Sequence, residues 1–341
     1  MFTREFPYFF EPEHASLEAQ VERFSAAGSI RDRVATLGLA GLLSRRDTRS
    51  LAIIRRHLAY QSPLTDLAFV IQELACTPLE TAGALPGVVA AARRGERVLA
   101  FALTEPGAGS DLRAIATTAE ERAGRWELTG AKHFISNAPD CDGAVVFART
   151  PGGIGAFFVD RPVTEAQAVA GHSIGKLLLD RAPAALVAER GLPLGLGTLE
   201  RCRPPVGAAA VGLATRALDL ATAHVRAREQ FGAPLADLPV VRLRLAEMRV
   251  ELLTATLAVL HAAWRHDHAA PGERTGTTAA IGKVVATEAA QRVIDQAVQL
   301  HGALGVEEGS EIEALYRAIR PLRIYEGATD VLLGGVGGVG G

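Results

Sequence analysis

Lysine is nearly missing from this chain. Of its 36 basic residues only three are lysines, Lys132, Lys176 and Lys283, which leaves 33 arginines. Beside the alanine excess, that imbalance reads as a bias of composition rather than a site. Cysteine is as scarce: Cys76, Cys141 and Cys202 lie far apart and are odd in number. They offer neither a disulfide framework nor a metal-ligand spacing, and they suit a reducing, cytoplasmic setting. No charge of one sign dominates, and a formal net charge of −2 excludes the concentrated basic face of a nucleic-acid binder. No apolar run approaches the roughly 18 residues of a membrane span. The opening "MFTREFPYFF" has charges and a proline where a signal peptide needs an apolar stretch. What remains is ordinary globular composition, 48% hydrophobic and 22% charged over 341 residues. That length can bury a large core and supports two or three domains.

The pattern along the chain changes twice. From residue 14 to 98 it is helical: Leu17, Val21 and Phe24 fall at helical spacing, and "DLAFVIQELA" (66–75) and "GVVAAARR" (87–94) read as compact apolar helices. Near residue 99 short β runs begin. "LAFALT" looks like a buried strand, "RWELTG" alternates, and "GAVVFART" and "IGAFFVD" are bounded by Gly, Pro and Asp. From about 198 the pattern is helical again. "PVGAAAVGLATRALDLATAHVRAR" is apolar nearly all round, as a central bundle helix would be. In the next helix Leu245, Met248, Leu252, Thr256, Leu260 and Ala263 trace one face. A further helix, Thr278 to His301, should turn Ile281, Val284, Val285, Ile294 and Val298 inward. The expected fold is therefore α+β and mainly α. It comprises an N-terminal helical domain (1–98), a small barrel-like β domain (99–197) and a C-terminal helical bundle (198–341), whose tail "GGVGGVGG" should be flexible.

Several short stretches could carry chemistry, and each also has a plain reading. "TEPGAGSD" (104–111) is a Gly-rich turn after a strand, equally a simple turn or a nest whose backbone N–H groups hold a phosphate. Leu112 stands where a dinucleotide fingerprint needs its third glycine. "GAKHFISN" (130–137) offers Phe134 as a flat wall and Ser136 as a hydroxyl. "RAREQFGAP" (226–234) ends a helix with Arg228 and Phe231, where arginine is ordinarily a capping charge. "HDH" (266–268) lacks a third ligand at helical spacing, so no metal is expected there. His301 reads as a helix-end histidine. In "RIYEGATD" (323–330), Glu326 sits between an aromatic ring and a glycine, and most such glutamates are solvated.

Taken together and in order, "FALTEPGAGSD", "GAKHFISN", "REQFGAPL", "QLHGALG" and "IYEGATD" are similar to the motifs of the acyl-CoA dehydrogenase family, over roughly residues 65–332. "RPPVGAAAVGLATRAL" (203–218) adds to the resemblance. It implies FAD as cofactor and a homodimer or homotetramer that oxidises an acyl thioester. It implies Phe101, Leu103 and Thr104 along the flavin ring, with Phe134 and Ser136 flanking it from the other side. Gly109 and Ser110 would lie by the pyrophosphate or the substrate's pantetheine. Arg228, Phe231, Gln299, Gly302 and Ala303 would reach the pyrophosphate and adenosine of a neighbouring subunit's FAD. Glu326 matches the family's catalytic base, with Arg203 and Tyr325 at the substrate. Electrons would pass to an acceptor such as electron-transfer flavoprotein. The chemistry suits a glutamate freed from water, whose pKa rises towards neutrality. In some members the base lies two helices earlier, a position held here by Cys202, which is a poor base.

Departures from the family pattern are specific. Ala328 replaces the usual threonine after Tyr-Glu-Gly, and Gly302-Ala303 replaces a double glycine. "GLLSRRDTRS" (41–50) stands where a Gly-Gly turn is usual, and the sequence stops in a glycine run where the family has a further helix. These features predict altered CoA recognition, with a carrier-protein thioester as the other substrate. Two alternatives follow from the same residues: a flavin oxidase or monooxygenase, and a non-catalytic partner subunit.

Overall fold

The computed structural model describes residues 2–44, 46–169 and 172–338. Helices come first: α1 (Phe2–Glu5), α2 (Pro12–Glu22), α3 (Ile30–Leu39), α4 (Thr48–Gln61), α5 (Pro63–Thr81) and α6 (Pro86–Arg93). Strands follow: β1 (Leu99–Ala102), β2 (Thr118–Arg122), β3 (Arg125–Ser136), β4 (Gly143–Thr150), β5 (Gly153–Asp160), β6 (Val163–Val169) and β7 (His172–Ala188). Then come α7 (Gly191–Ala227), a short hairpin of β8 (Glu229–Gln230) and β9 (Ala233–Pro234), and the helices α8 (Pro239–Asp267), α9 (Gly276–His301), α10 (Glu311–Ile319) and α11 (Thr329–Val336). The order is the mainly α, α+β order that the sequence pattern implies. By contacts the chain forms two compact units, one of Ala26–Arg45 with Leu64–Leu199, the other of Met1–Ser25, Arg46–Pro63 and Glu200–Gly341.

In the first unit the β runs close on themselves. The strand order is β1-β4-β2-β3-β7-β5, and β4 also pairs with β5, so five strands form a circuit with β1 and β6 attached to it. Side chains alternate between faces with period two. Ala100, Ala102, Leu128, Ala144, Val146, Phe157 and Leu177 fill one cluster. Leu99, Val145, Phe147 and Phe158 fill another with Ala75, Cys76 and Leu79 of α5. Strand β4 is buried on both faces, which explains its unbroken apolar run "GAVVF". Gln72 of α5 fixes the start of β1: its Oε1 accepts from Leu99 N at 2.6 Å and its Nε2 donates to Arg97 O at 2.8 Å.

In the second unit α7 from Glu200 onward, α8 and α9 form the centre. Val206, Val211, Leu213, Ala217 and Val225 of α7 are buried, as its all-round apolarity implies. All six face residues expected of α8 are buried. Helix α9 meets expectation in part: Val284 and Ile294 are buried, but Ile281 is exposed, and Val285 and Val298 are only half-buried. Around Gly282 and Ala286 its inward face is kept small, because the neighbouring helices approach closely there. A β-carbon added at Gly282 would stand 2.7 Å from Ala262 Cβ. One added at Gly207 would stand 2.6 Å from Val259 Cγ2 and 3.1 Å from Gly282 O.

Other expectations need correcting. The first helical run ends at Glu22, before Phe24. Helix α7 begins at Gly191 rather than 198 and, at 37 residues, is long and apolar enough to cross a membrane. The most apolar stretch of that helix is 67% buried in the protein, as a core helix would be. The tail expected to be flexible starts as helix, since Gly334, Gly335 and Val336 close α11, while residues 339–341 lie outside the described residues. The "HDH" stretch is structural: Asp267 accepts from Thr48 N at 2.8 Å and Arg49 N at 3.0 Å, capping α4, and His266 Nδ1 bonds Thr48 Oγ1.

Glu18 of α2 is fully buried in this unit and takes bonds from Phe2 N, Thr3 N, Thr3 Oγ1 and His57. Burial works to raise its pKa, and the bonds from His57, Thr3 and Phe2 outweigh it, holding the carboxyl to about 2. The folded value lies below the ordinary 4.5, so the stabilisation is present above that pH and is lost as pH falls towards 2. Glu18→Gln is expected to cost about 3 kcal/mol at neutral pH, a gap to wild type that closes below pH 4.5 in urea unfolding measured at each pH.

Candidate functional site

In the β-rich unit the candidate residues gather at one bulge. Strand β3 pairs with β7 at Lys132↔Leu177 and again at Ile135↔Gly175, so His133 and Phe134 oppose the single residue Lys176. The extra residue bends the strand. It puts Phe134 in the left-handed region at φ 55°, with its ring 61% exposed and its N–H on Gln167 Oε1 at 2.9 Å. Bulges and left-handed non-glycine residues concentrate where a side chain must be aimed. His133 N donates to Thr104 O at 3.0 Å, which brings the end of β1 alongside the bulge. Thr104 and Ser136 are half-buried, and Gly109 and Ser110 are exposed. Phe101 packs edge-on to Phe147 at 5.1 Å. The Leu103 side chain lies in the core, 7% exposed, so it is the Leu103 carbonyl that meets the site region.

A buried ion pair carries this arrangement. Lys132 is fully buried, and its Nζ donates to Glu105 Oε1 at 2.7 Å and to Leu103 O at 3.1 Å. Glu105 also accepts from Ala116 N at 2.6 Å and Thr117 N at 3.1 Å. Burial lowers the Lys132 pKa to about 8 against the pull of Glu105. Burial works to raise the Glu105 carboxyl, and its bonds to Lys132, Thr117 and Ala116 outweigh it, so its pKa falls. The glutamate of "TEPGAGSD" therefore anchors the turn, while its glycines stay open: a β-carbon at Gly107 or Gly109 would meet nothing.

In the helical unit Glu326 sits on a tight turn. Glu326 (φ 54°) and Gly327 (φ 107°) are both left-handed, and Glu326 is half-buried. Arg203 Nε of α7 donates to Glu326 O at 3.1 Å, and Lys283 Nζ of α9 donates to Gly327 O at 2.8 Å. Glu288 of α9 closes the base of the turn, its Oε1 taking bonds from Arg323 Nε and Thr329 Oγ1, each at 2.7 Å. Burial lowers the Arg203 pKa while Glu326 and Glu200 oppose it. Tyr325 packs against the helical core, and Cys202 beside Arg203 is buried.

A second group lies at the far end of α7. His224 stacks on His301 with ring centroids 4.5 Å apart, so the C-terminal ends of α7 and α9 adjoin. That brings Arg228 and the β8–β9 hairpin to the region of Gln299, Gly302 and Ala303, all exposed. His301 is the helix-end histidine expected, its Nδ1 within 2.7 Å of Ala297 O. The hairpin tip is Phe231 (φ 56°) and Gly232 (φ 82°), the twist of a type I′ turn, where a phenylalanine is strained. Its ring is 93% exposed.

Comparison with known proteins gives these features a context. Residues 100–181 match the "Acyl-CoA dehydrogenase, middle domain" and residues 189–338 the "Acyl-CoA dehydrogenase, C-terminal domain". A 3-(aryl)acrylate reductase of Clostridium sporogenes is 36% identical over 256 residues, 70% of this chain and 67% of that protein. The human mitochondrial short-chain specific acyl-CoA dehydrogenase is 34% identical over 255 residues, 70% of this chain and 61% of that one. A Mycobacterium smegmatis glutaryl-CoA dehydrogenase, solved in complex with FADH2, shares the fold with a TM-score of 0.90 at 21% identity, covering 97% of this chain and 95% of that one. The chain spans 61 to 67% of the length of the two curated relatives. The chain belongs to the acyl-CoA dehydrogenase family, whose cofactor is FAD.

The residues present fit that cofactor. The open space at Gly107 and Gly109 admits a close backbone approach to an anion. The exposed Arg228 guanidinium has no ion pair among the described residues and suits a pyrophosphate. Phe134 and Phe231 offer exposed aromatic faces on strained backbone. Sequence reasoning missed Glu105, Gln167, Glu288 and two of the three lysines. The scarcity of lysine, read as composition alone, was the available signal: Lys132 and Lys283 are both fully buried, each on a backbone carbonyl beside a candidate residue.

Proposed function

We propose that this protein catalyses α,β-dehydrogenation of an acyl thioester. The observation that carries the reading is the Glu326 turn, a half-buried carboxylate on left-handed backbone held by two cationic side chains. FAD, when bound, supplies the hydride acceptor. The chain's own residues do the rest. Glu326 takes the substrate's α-proton, Arg203 fixes the backbone carbonyl behind it, and Tyr325 and Ser110 contact the thioester. Phe101, the Leu103 backbone, Thr104, Phe134 and Ser136 would hold the flavin ring, with Gly109 and Ser110 at its pyrophosphate. Arg228, Phe231, Gln299, Gly302 and Ala303 would hold the adenosine half from a neighbouring copy. Val240, Leu243, Val250, Leu253 and Leu257 leave an exposed apolar stripe on α8, which supports self-association as a homodimer or homotetramer.

The substrate is a CoA or carrier-protein thioester, and electron-transfer flavoprotein is the acceptor that the family resemblance implies. Three free cysteines favour a cytoplasmic setting. The test is anaerobic addition of saturated acyl-CoA and acyl-carrier thioesters to the purified holoenzyme. One class should bleach the flavin's visible absorbance within a turnover. Absence of bleaching across the panel overturns the reading, and oxygen uptake without an added acceptor identifies an oxidase. The name of the reductase relative favours a second reading, in which the same residues run the reaction towards the saturated thioester. Reoxidation of reduced enzyme by an enoyl thioester, faster than reduction by its saturated partner, distinguishes that direction.

A further inference from the structure

The bulge takes Phe134 out of the ladder, whose pairing passes from Lys132↔Leu177 to Ile135↔Gly175. A backbone N–H set aside in this way is left to find another acceptor. It finds one 33 residues further along the chain, Gln167 Oε1, at 2.9 Å. Gln167 belongs to β6, which pairs with β7 and is not a neighbour of β3. Its side chain therefore reaches across β7. Two features permit that reach. Gln167 pairs with Ile174, which pairs in turn with Ser136, so the three lie in one row. Residues directly opposite one another turn their side chains to the same face. Beside that row the strands are drawn together at Gly175, where an added β-carbon would stand 2.5 Å from Glu165 O.

We propose that Gln167 is a positioning residue for Phe134: by accepting the Phe134 N–H it fixes the left-handed backbone on which the ring is presented to the flavin. The proposal rests on the reading of Phe134 as a flavin contact only for its consequence at the cofactor; the fixing of the backbone belongs to the chain itself. A phenylalanine at φ 55° is held there against its own preference. Its ring is mostly exposed, so packing does little to hold it. The bond to His133 N ties the preceding residue to Thr104 O, whereas the bond from Gln167 acts on the strained residue. Once that acceptor is removed, the backbone is free to relax towards the extended form, and the aromatic face loses its fixed direction.

The first arm of the test follows amide hydrogen exchange by NMR in the full-length chain stripped of FAD and labelled with 15N-phenylalanine and 15N-isoleucine. Gln167→Met keeps the length of the side chain and removes the amide oxygen. It should speed exchange at Phe134 about fivefold, the worth of one ordinary hydrogen bond, and leave Ile135 and Ile174 as in wild type. Gln167→Glu retains an acceptor and should restore the slower exchange. The second arm measures FAD dissociation from the fluorescence of released flavin. Gln167→Met and Phe134→Ala should each weaken binding, and the double variant should bind no more weakly than Phe134→Ala, because both changes act through one ring. Unchanged exchange at Phe134 in Gln167→Met overturns the proposal. So does an equal rise at Ile135 and Ile174, which would mean that the bond only holds the sheet together. FAD binding weakened by Phe134→Ala but not by Gln167→Met overturns it as well. Faster exchange confined to Phe134, with wild-type FAD binding in both variants, would uphold the fixing of the backbone and discard Phe134 as a flavin contact.

Discussion

Glu326→Gln is expected to lose flavin reduction by a factor of about 10² to 10⁴, the range that a positioned general base contributes, while binding FAD as wild type does. The amide keeps the shape of the side chain and cannot take a proton. The turn survives because its holding bonds are to backbone: Arg203 reaches Glu326 O and Lys283 reaches Gly327 O, and neither needs the carboxylate. Loss of rate with retained flavin therefore reports on the proton step. Stopped-flow absorbance with a substrate that bleaches the wild-type flavin is the measurement. Full turnover would move the base elsewhere, and the buried Cys202, the other position the family uses, offers no carboxylate for it.

Lys132→Met should lower stability further than Glu18→Gln does. It leaves Glu105 buried, with only the Ala116 and Thr117 amides to hold its charge. Breaking a buried pair from one side costs about 3–5 kcal/mol, which for a unit of this size corresponds to a fall in Tm of the order of ten degrees. The loss should be concentrated in the β-rich unit, because Lys132 also ties the Leu103 carbonyl and so the end of β1. Calorimetry of the apoprotein separates this from any effect of bound FAD, and a melt within about two degrees of wild type would contradict it. Glu105→Gln should also lower stability, since the single amide oxygen can accept from Lys132 and Thr117 but the amide NH2 then faces the Ala116 N–H.

The elements that could be read from sequence are those whose signals are local. Strands β4 and β5 are short apolar runs between turn residues, and both formed as expected. Helix α8 shows its buried face as a simple period. Strand β7 was not legible: its 17 residues include Lys176, Arg181 and Pro183, and its stability comes from lying between β3, β5 and β6 rather than from its own pattern. The inward face of α9 was legible only in part, for a related reason. Its tight contact at Gly282 selects small residues there and the neighbouring Ile281 is turned outward, while Val284 and Ile294 are buried as expected. For the site, Glu326 was singled out by its motif, but what holds it lies far away in sequence. Lys283 is 44 residues before Gly327, and Arg203 is 123 residues before Glu326. No local rule reaches across such separations. The left-handed backbone at Phe134, Phe231 and Glu326 was equally hidden, because none of the three is a residue type that favours it.

Burial of two of the three lysines has a practical corollary. Lys132 and Lys283 keep their amines inside the protein, whereas Lys176 on β7 is partly open, its Nζ 3.5 Å from Glu165. A succinimidyl ester dye applied to the folded protein would therefore find one lysine within reach. That site lies opposite the bulge that presents Phe134, so a single fluorophore attached there could report ligand arrival without any engineered cysteine.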